Sequence, residues 1–324
     1  TDEADVDGDD AAATTRALAR AVEGIGTVLA ARPPDLMLVL GDRYEILGAV
    51  SAAALARVPV VHLCGGDITE GAVDDAIRHA ITKMSHLHFV TNPDAAARVR
   101  QMGEDPARVH TVGNPGLDTL PARDPKAGQR LRAELGLRPD GPLLLVTFHP
   151  VTLDPVPGPE QFDALAGALD DARGDAAVLL TGSNADAEGQ TLSRMAEEFA
   201  AQRDNTVYRP SLGHACYLTA LGAATAVVGN SSSGLYEAPS FGIPTVNVGD
   251  RQAGRLRANS VIDCSAERTA IAAAIRQALL TDASGTVNPH GDGRAGARIA
   301  AVLADTGNSA GLLRKRFHRW EESA

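Results

Sequence analysis

The sequence predicts an α/β protein built on two parallel sheets. Three observations carry that prediction. Short continuous apolar runs at 36–40, 58–63, 143–148 and 225–228 have the length and composition of strands buried on both faces. The runs stop at Gly41, Cys64-Gly65-Gly66, His149-Pro150 and Gly229, and a segment of helical period follows each, which is the signature of βα units. The alternation comes in two series joined near 120–124. With 324 residues the chain is long enough for two domains of ordinary size.

Taken in order, residues 11–32 read as a helix, with Leu18, Val22, Ile25 and Leu29 on one face and Pro33-Pro34 as its stop. The run 36–40 is a strand that ends in Gly41-Asp42-Arg43. A small-residue helix at 46–57 leads to the strand 58–63, which ends in Cys64-Gly65-Gly66-Asp67. A helix at 74–84, a strand at 87–91, a helix at 93–102 with Pro at its first turn, and a short strand at 109–112 complete the first series. The second series reads helix 124–137, strand 143–148, helix 160–173, strand 176–180, helix 187–202, strand 206–208, helix 214–221, strand 225–228, helix 235–241 and strand 244–248. Helices at 266–280, 295–303 and 311–323 follow; the last offers Leu312, Leu313, Phe317 and Trp320 for one face. Two Rossmann-like domains facing across a cleft are expected. Their boundaries are 1–120, with 1–10 an acidic tail, and 121–310; the terminal helix 311–324 packs back on the first domain.

Apolar residues are 44% of the chain and charged residues 22%, ordinary values for a soluble globular protein. The net charge of −11 leaves no basic surplus to displace counterions, so no nucleic-acid partner is expected. No apolar run approaches the ~20 residues of a membrane helix, so no membrane partner is expected. The first residues are acidic where a signal peptide is basic. Cys64, Cys216 and Cys264 are far apart, odd in number and without CxxC, as in a reducing compartment. A cytoplasmic location follows as the expectation.

Chemistry concentrates where strands end, because open parallel sheets bind ligands at their carboxyl edges. Asp42 follows the first strand. Asp67, Glu70, Asp74 and Asp75 follow the second, and Gly65, Gly66 and Gly71 would fold them together. Carboxylates in different environments let one site run acid and base steps. Arg78 either steadies one of them or forms a structural ion pair. His149 ends a strand and titrates near neutrality. The segment Asn230-Ser231-Ser232-Ser233-Gly234 opening a helix is either an anion-binding turn or ordinary N-capping. Glu237, one turn on, has the bidentate acceptor that two ribose hydroxyls need, and Arg251 adds a cation on the same edge. His62, His79, His86 and His88 lack a zinc spacing, so no metal is expected. The GxGxxG fingerprint is absent, so no nicotinamide is expected either. The basic residues at 314–319 read as a solvated helix face.

Several ordered motifs resemble the UDP-N-acetylglucosamine 2-epimerase family, especially its hydrolysing branch. They are GDRYEI (41–46), HLCGGDITEGAVDDAIRHAITKMSHLHF (62–89), VGNPGLD (112–118), FHPVT (148–152), TGSNADAEG (181–189), GNSSSGLYEAPSFGIPTVNVGDRQAGR (229–255) and NPHGDGRA (288–295). The resemblance implies a glycosyltransferase-B-like fold, a UDP-sugar substrate and no cofactor. It implies elimination of UDP across C1–C2 and hydration of the resulting glycal. The product would be N-acetylmannosamine or a related 2-acetamido sugar, for sugars of the nonulosonic-acid type. By resemblance Asp42 and Asp74 hold carboxylate positions, His149 the catalytic histidine and Arg78 a supporting cation. Arg43, Ser231, Ser232, Glu237 and Arg251 match UDP-contact positions, and Asn184 and Asp186 a loop facing the sugar. A homo-oligomer, dimer or tetramer, is expected from relatives.

Two departures stand out. Some relatives carry a catalytic Glu where this chain has Cys64, and a thiol with an ordinary pKa of ~8.5 is no substitute; Asp67 is then the expected acid. Family members also open with a strand and a Gly/Thr/Arg loop that nothing before Pro34 matches, so the first domain is expected to be shortened. A UDP-sugar-binding remnant without turnover, and glycosyl transfer on the same fold, remain as alternatives.

Overall fold

A computed structural model describes residues 11–69, 73–151, 155–183, 188–307 and 309–319. Contacts divide the chain into two units, 1–118 with 290–324, and 119–289.

The first unit contains α1 (Ala11–Ala31), β1 (Met37–Leu40), α2 (Tyr44–Ala56), β2 (Val60–Leu63), α3 (Val73–Met84), β3 (Leu87–Val90), α4 (Pro93–Gln101) and β4 (Val109–Thr111). Its four strands are parallel in the order β1-β2-β3-β4. Side chains alternate across this sheet, so each strand feeds two cores. Val39 and Val60 pack with Leu29, Val50, Ala53 and Ile81 from α1, α2 and α3. Val61, Leu63, Leu87 and Phe89 face the other way. Leu38 and Leu40 of β1 lie on that second side and are exposed. Among the described residues no strand pairs with the outer edge of β1.

The second unit follows with α5 (Pro125–Glu134), β5 (Leu143–Thr147), α6 (Gly158–Ala172), β6 (Ala177–Thr181), α7 (Gly189–Ala201), β7 (Thr206–Arg209), α8 (Gly213–Ala223), β8 (Ala226–Gly229), α9 (Ser233–Tyr236), β9 (Thr245–Val248), β10 (Val261–Cys264) and α10 (Arg268–Leu280). Its six parallel strands run β10-β9-β8-β5-β6-β7. Leu144 and Val146 pack toward α6, α7 and α10, while Leu143 and Leu145 pack toward α5 and α8. The order reverses between β5 and β8, which makes their carboxyl ends a topological switch point, the place where such sheets bind ligands.

The chain then returns to the first unit. In α11 (Ala295–Asp305), Ala295 and Ile299 cover Val61, Leu63, Leu87 and Phe89. Asp118 caps this helix, accepting from Ala295 N at 2.9 Å and Gly296 N at 2.6 Å. Residues 290–310 therefore group with the first unit, not with the second as their place in the sequence predicts.

Three further expectations are corrected. The strand β10 lies at the sheet edge, partly exposed, and its four residues carry too little pattern to announce it. The helix expected at 235–241 is a four-residue α-turn followed by a 3₁₀ turn at Ala238–Phe241. Pro239 has no N–H to donate and its ring crowds the preceding turn, so an α-helix cannot continue through it. Among the described residues the expected terminal helix does not form: a 3₁₀ turn at Ser309–Leu313 gives way to non-helical chain over 314–319. The acidic tail at 1–10 and Trp320 lie outside the described residues. Among the described residues no helix is long and apolar enough to cross a membrane.

Candidate active site

In the first unit, the carboxyl ends of three neighbouring strands bring the predicted acids together. Asp42 follows β1 through Gly41, and Asp67 follows β2 through Gly66. Gly66 has φ +81°, and a Cβ there would fall 2.5 Å from the Ala95 carbonyl oxygen. Only glycine allows that approach, which carries Asp67 to the end of β3. There its carboxylate accepts from Thr91 Oγ1 at 3.0 Å and Asn92 Nδ2 at 3.2 Å. Asn92 also caps α4, accepting from Ala95 N at 2.9 Å.

Arg78 is the hub. It stands one turn into α3 and is buried. Its Nε donates to Asp42 Oδ2 at 2.9 Å, and its Nη2 bonds the same oxygen. Nη1 donates to the Asp67 carbonyl at 2.8 Å and to Asp75 Oδ1 at 3.2 Å, and Nη2 donates to Thr69 Oγ1 at 3.1 Å. Asp75 in turn accepts from Thr69 N at 2.7 Å and stands 3.4 Å from His79 Nε2. A planar guanidinium with five donors suits this convergence, and an ammonium does not. Among the described residues nothing donates to Asp42 Oδ1, so one carboxylate oxygen is left for chemistry.

His62 fixes the floor of the site. Its Nε2 is 3.1 Å from the Gly41 carbonyl and its Nδ1 is 3.1 Å from Thr82 Oγ1. The carbonyl only accepts, so the network assigns the proton to Nε2. Burial brings the imidazole down to about 4, so it stays neutral. Asp74, on the first turn of α3, is exposed. Partial burial and then the Asp42 charge raise its carboxyl above the ordinary value. Cys64 sits at φ +62°, in the left-handed region, a conformation that clusters at functional sites. Burial first, then Asp67 and Asp42, push its thiol up to about 12. It remains protonated and takes no carboxylate's place.

The structure does not bring Arg43 into this group. Its side chain is 69% exposed and donates to Glu45 at 3.2 Å, with the Tyr44 ring 5.7 Å away. Glu70, Asn184 and Asp186 lie outside the described residues.

In the second unit the switch point is held by one buried amide. Gly229 has φ +130°, and a Cβ there would lie 1.9 Å from the Thr147 carbonyl oxygen, so β8 closes on β5 only with glycine. Asn230 follows, fully buried. Its Oδ1 accepts from His149 N at 2.7 Å and its Nδ2 donates to the His149 carbonyl at 2.8 Å. The Asn230 carbonyl accepts from Gln252 Nε2 at 2.8 Å and Arg251 Nη1 at 3.2 Å. His149 and Arg251 are thus fixed to the same residue. Ser183, after β6, lies 3.4 Å from His149 Nδ1.

Ser231 Oγ accepts from Ser233 N at 3.4 Å in a local turn. Ser232 precedes α9, but its side chain caps nothing. Four residues carry little macrodipole, so the expected attraction of an anion to a helix end is weak here. Deeper in, Glu237 Oε2, Ser233 Oγ and Tyr217 Oη are buried and find no hydrogen-bond partner among the described residues. Burial pushes the Glu237 carboxyl up to about 7; the nearby Ser233 hydroxyl, not aligned for a regular hydrogen bond, offsets this in part. Tyr217 also lines a hollow of about 310 Å³ with Thr181, Pro210, Leu212 and His214. Buried polar atoms without protein partners are rare, and a bound ligand or ordered water would satisfy them.

Sequence reasoning placed Asp75 in the acid cluster and Asn230 and Ser233 in the Ser-rich turn without giving any of them a role of its own, and it left Tyr217 out. Asp75 had a signal, its i,i+3 spacing to Arg78. Asn230 had one too, as a polar residue at a strand end. Tyr217 had none, because its contacts come from a distant strand. Among the described residues no cluster of His, Cys, Asp and Glu could hold a metal ion.

Comparison with known proteins bears on the family and the fold. The chain is 38% identical over 231 residues to a Campylobacter jejuni protein named GDP/UDP-N,N'-diacetylbacillosamine 2-epimerase (hydrolyzing). That match covers 71% of this chain and 60% of the relative's length. A Legionella pneumophila UDP-N,N'-diacetylbacillosamine 2-epimerase (hydrolyzing) is 33% identical over 288 residues, covering 89% and 75%. The crystal structure of the Neisseria meningitidis UDP-GlcNAc 2-epimerase bound to UDP-GlcNAc superposes with a TM-score of 0.74 at 16% identity, covering 90% of this chain and 82% of that one. This likeness establishes the fold, glycosyltransferase-B-like with two parallel-sheet units. A sequence model of the family described as UDP-N-acetylglucosamine 2-epimerase matches residues 3–304, starting well before Pro34, where the motifs begin. The chain belongs to the UDP-N-acetylglucosamine 2-epimerase family.

Proposed function

We propose that this chain is a hydrolysing 2-epimerase of a UDP-linked 2-acetamido sugar. The observation that carries the reading is the set of carboxylates after β1 and β2, in unlike settings around Arg78. Asp42 is paired through one oxygen, Asp67 is bound to Thr91 and Asn92, and Asp74 has a raised carboxyl. Carboxylates in unlike settings are what a site needs to run acid and base steps.

The reaction takes one UDP-sugar and one water to UDP and a free sugar inverted at C2. As the C1–O bond to the diphosphate breaks, C1 becomes oxocarbenium-like and the C2 hydrogen becomes acidic. Asp42 Oδ1 takes that proton, and the C2–H electrons form the C1–C2 double bond. Water then adds at C1 while C2 receives a proton from Asp74 on the opposite face; the proton that water gives up restores Asp74, and the one on Asp42 leaves to solvent. Arg78 orients Asp42. His149 and Arg251 are assigned to the departing diphosphate. Glu237, Ser233 and Tyr217 are assigned to the ribose, and the hollow beside Tyr217 to the base. Arg43, Ser231 and Ser232 remain candidates for further UDP contacts, and Asn184 and Asp186 for sugar contacts. The names of the Campylobacter and Legionella relatives support the hydrolysing reaction and a 2,4-diacetamido sugar. UDP-N-acetylglucosamine, giving N-acetylmannosamine, is the simpler candidate. Either product would supply synthesis of nonulosonic-acid-type sugars.

The test is incubation with each substrate in D2O. The reading requires stoichiometric UDP and free 2-epimer, with one deuterium at C2. UDP release with retained C2 hydrogen, or no release from either substrate, overturns it.

A further inference from the structure

The chain after Leu313 is fastened to the first unit as a strap. His318 N donates to the Gly103 carbonyl at 2.8 Å, and Arg108 Nη1 donates to the Leu312 carbonyl at 2.8 Å. The Phe317 ring fills the space beside Gly103, with Lys83 Nζ 4.6 Å from its centre. The deepest attachment is Lys315. Its Nζ donates to the Lys83 carbonyl at 2.6 Å, the Ser85 carbonyl at 2.6 Å and Glu104 Oε2 at 2.7 Å. An ammonium has three N–H donors, and all three are used.

These acceptors have a specific place. Lys83 is in the last turn of α3 and Ser85 is just past its end. Helix C-termini leave carbonyls without partners, and a cation there also meets the negative end of the helix. Glu104 is 1% exposed and shared by three partners, adding Lys83 Nζ at 2.7 Å and His88 Nε2 at 2.9 Å. The first turn of α3 carries Asp74 and Asp75, and Arg78 lies at its middle. A twelve-residue helix is about 18 Å long and stiff along its axis. It is also so short that it is marginal unless its ends are held. Its N-terminal half is held through Arg78, which reaches Asp42 and the Asp67 carbonyl, and its C-terminal end by Lys315.

We propose that Lys315 is a positioning residue: by fixing the C-terminal end of α3 it sets Asp74 and Arg78 against Asp42 at the other end. The proposal rests on the catalytic assignment of those three residues. A shift of about 1 Å in such groups is worth roughly 10²-fold in rate.

The experiment compares the full chain with K315M, K315R and I299V. Met keeps the length of the side chain and removes every donor. Ile299, in the core beneath α11, serves as a destabilised control remote from α3. K315M should lose 10- to 100-fold in kcat, with KM and UDP affinity by calorimetry within twofold. K315R, retaining charge and donors, should recover most of kcat, and I299V should match the parent. Amide hydrogen exchange gives a readout independent of turnover. In K315M, amides of 75–80 should exchange at least tenfold faster, while those of α2 and of the second unit do not change. Unchanged exchange at 75–80 overturns the proposal whether or not the chain turns over. Faster exchange with kcat within twofold overturns it as well, as does a kcat loss that only tracks the unfolded fraction. If the parent releases no UDP, the function reading fails, and the exchange arm alone decides whether Lys315 sets the far end of α3.

Discussion

Replacing Glu237 by Gln should make the protein more stable at alkaline pH while weakening its hold on nucleotide. The carboxyl is buried, its Oε2 finds no hydrogen-bond partner among the described residues, and burial raises its pKa to about 7 from an ordinary 4.5. A raised acid binds its proton more tightly folded than unfolded. Its contribution is therefore intact below pH 4.5, falls as pH rises, and is fully lost above pH 7. A difference of about 2.5 pKa units is worth roughly 3 kcal/mol at 1.36 kcal/mol per unit. Gln has the shape of the protonated acid and never ionises. Urea denaturation of both forms should agree near pH 4.5, then diverge to roughly 3 kcal/mol in favour of E237Q by pH 8. Ribose hydroxyls are donors and favour the ionised carboxylate. Calorimetry at pH 8 should therefore show UDP binding weakened about 10-fold or more in E237Q. The parent should release fewer bound protons, and bind UDP more tightly, above pH 7 than below it. A stability difference that stays constant from pH 5 to pH 8 would refute the reasoning, whatever happens to binding.

Three other substitutions probe the remaining parts. D42N should reduce UDP release by at least ~10³-fold, in line with loss of a catalytic base, while calorimetric UDP affinity stays within twofold; retained turnover removes Asp42 from the mechanism. N230A strips the amide that holds His149 at both backbone atoms, leaving buried groups unpaired at about 1–3 kcal/mol each; urea midpoint and kcat should both fall. G229A places a Cβ 1.9 Å from the Thr147 carbonyl oxygen at φ +130°, so it should destabilise by about 3 kcal/mol or more. A crystal structure of that variant with β5 and β8 unmoved would contradict the packing argument.

The sequence already showed where most strands lie, because parallel strands are continuous apolar runs and their ends are marked by glycine and charge. The acids after β1 and β2 were visible for the same reason, and Asp42, Asp67 and Arg78 do converge. What was hidden depends on distance along the chain. Nothing near 290–305 announces that Asp118, more than 170 residues earlier, caps α11. The terminal segment has helical spacing in Leu312, Leu313 and Phe317, yet Lys315 has three acceptors waiting on the first unit, and tertiary contact overrides local preference. The resemblance puts Arg43 at a UDP-contact position, and here its guanidinium pairs with Glu45, two residues on. The orphaned polar atoms around Glu237 cannot be read from one strand at all, since Tyr217 comes from α8.

Asn230 has a consequence for how the second unit tolerates change. Its side chain grips the loop after β5 and its carbonyl grips the loop after β9. Both loops are therefore measured from a common datum, a single residue at the end of β8. The spacing of His149 and Arg251 becomes a property of that datum and not of either loop's length. Thermal fluctuation in one loop carries its partner's reference point with it, so relative error stays small even when absolute displacement does not. Loop grafts that begin beyond His149 or Gln252 should leave that spacing intact, which marks those two residues as natural seams for redesign.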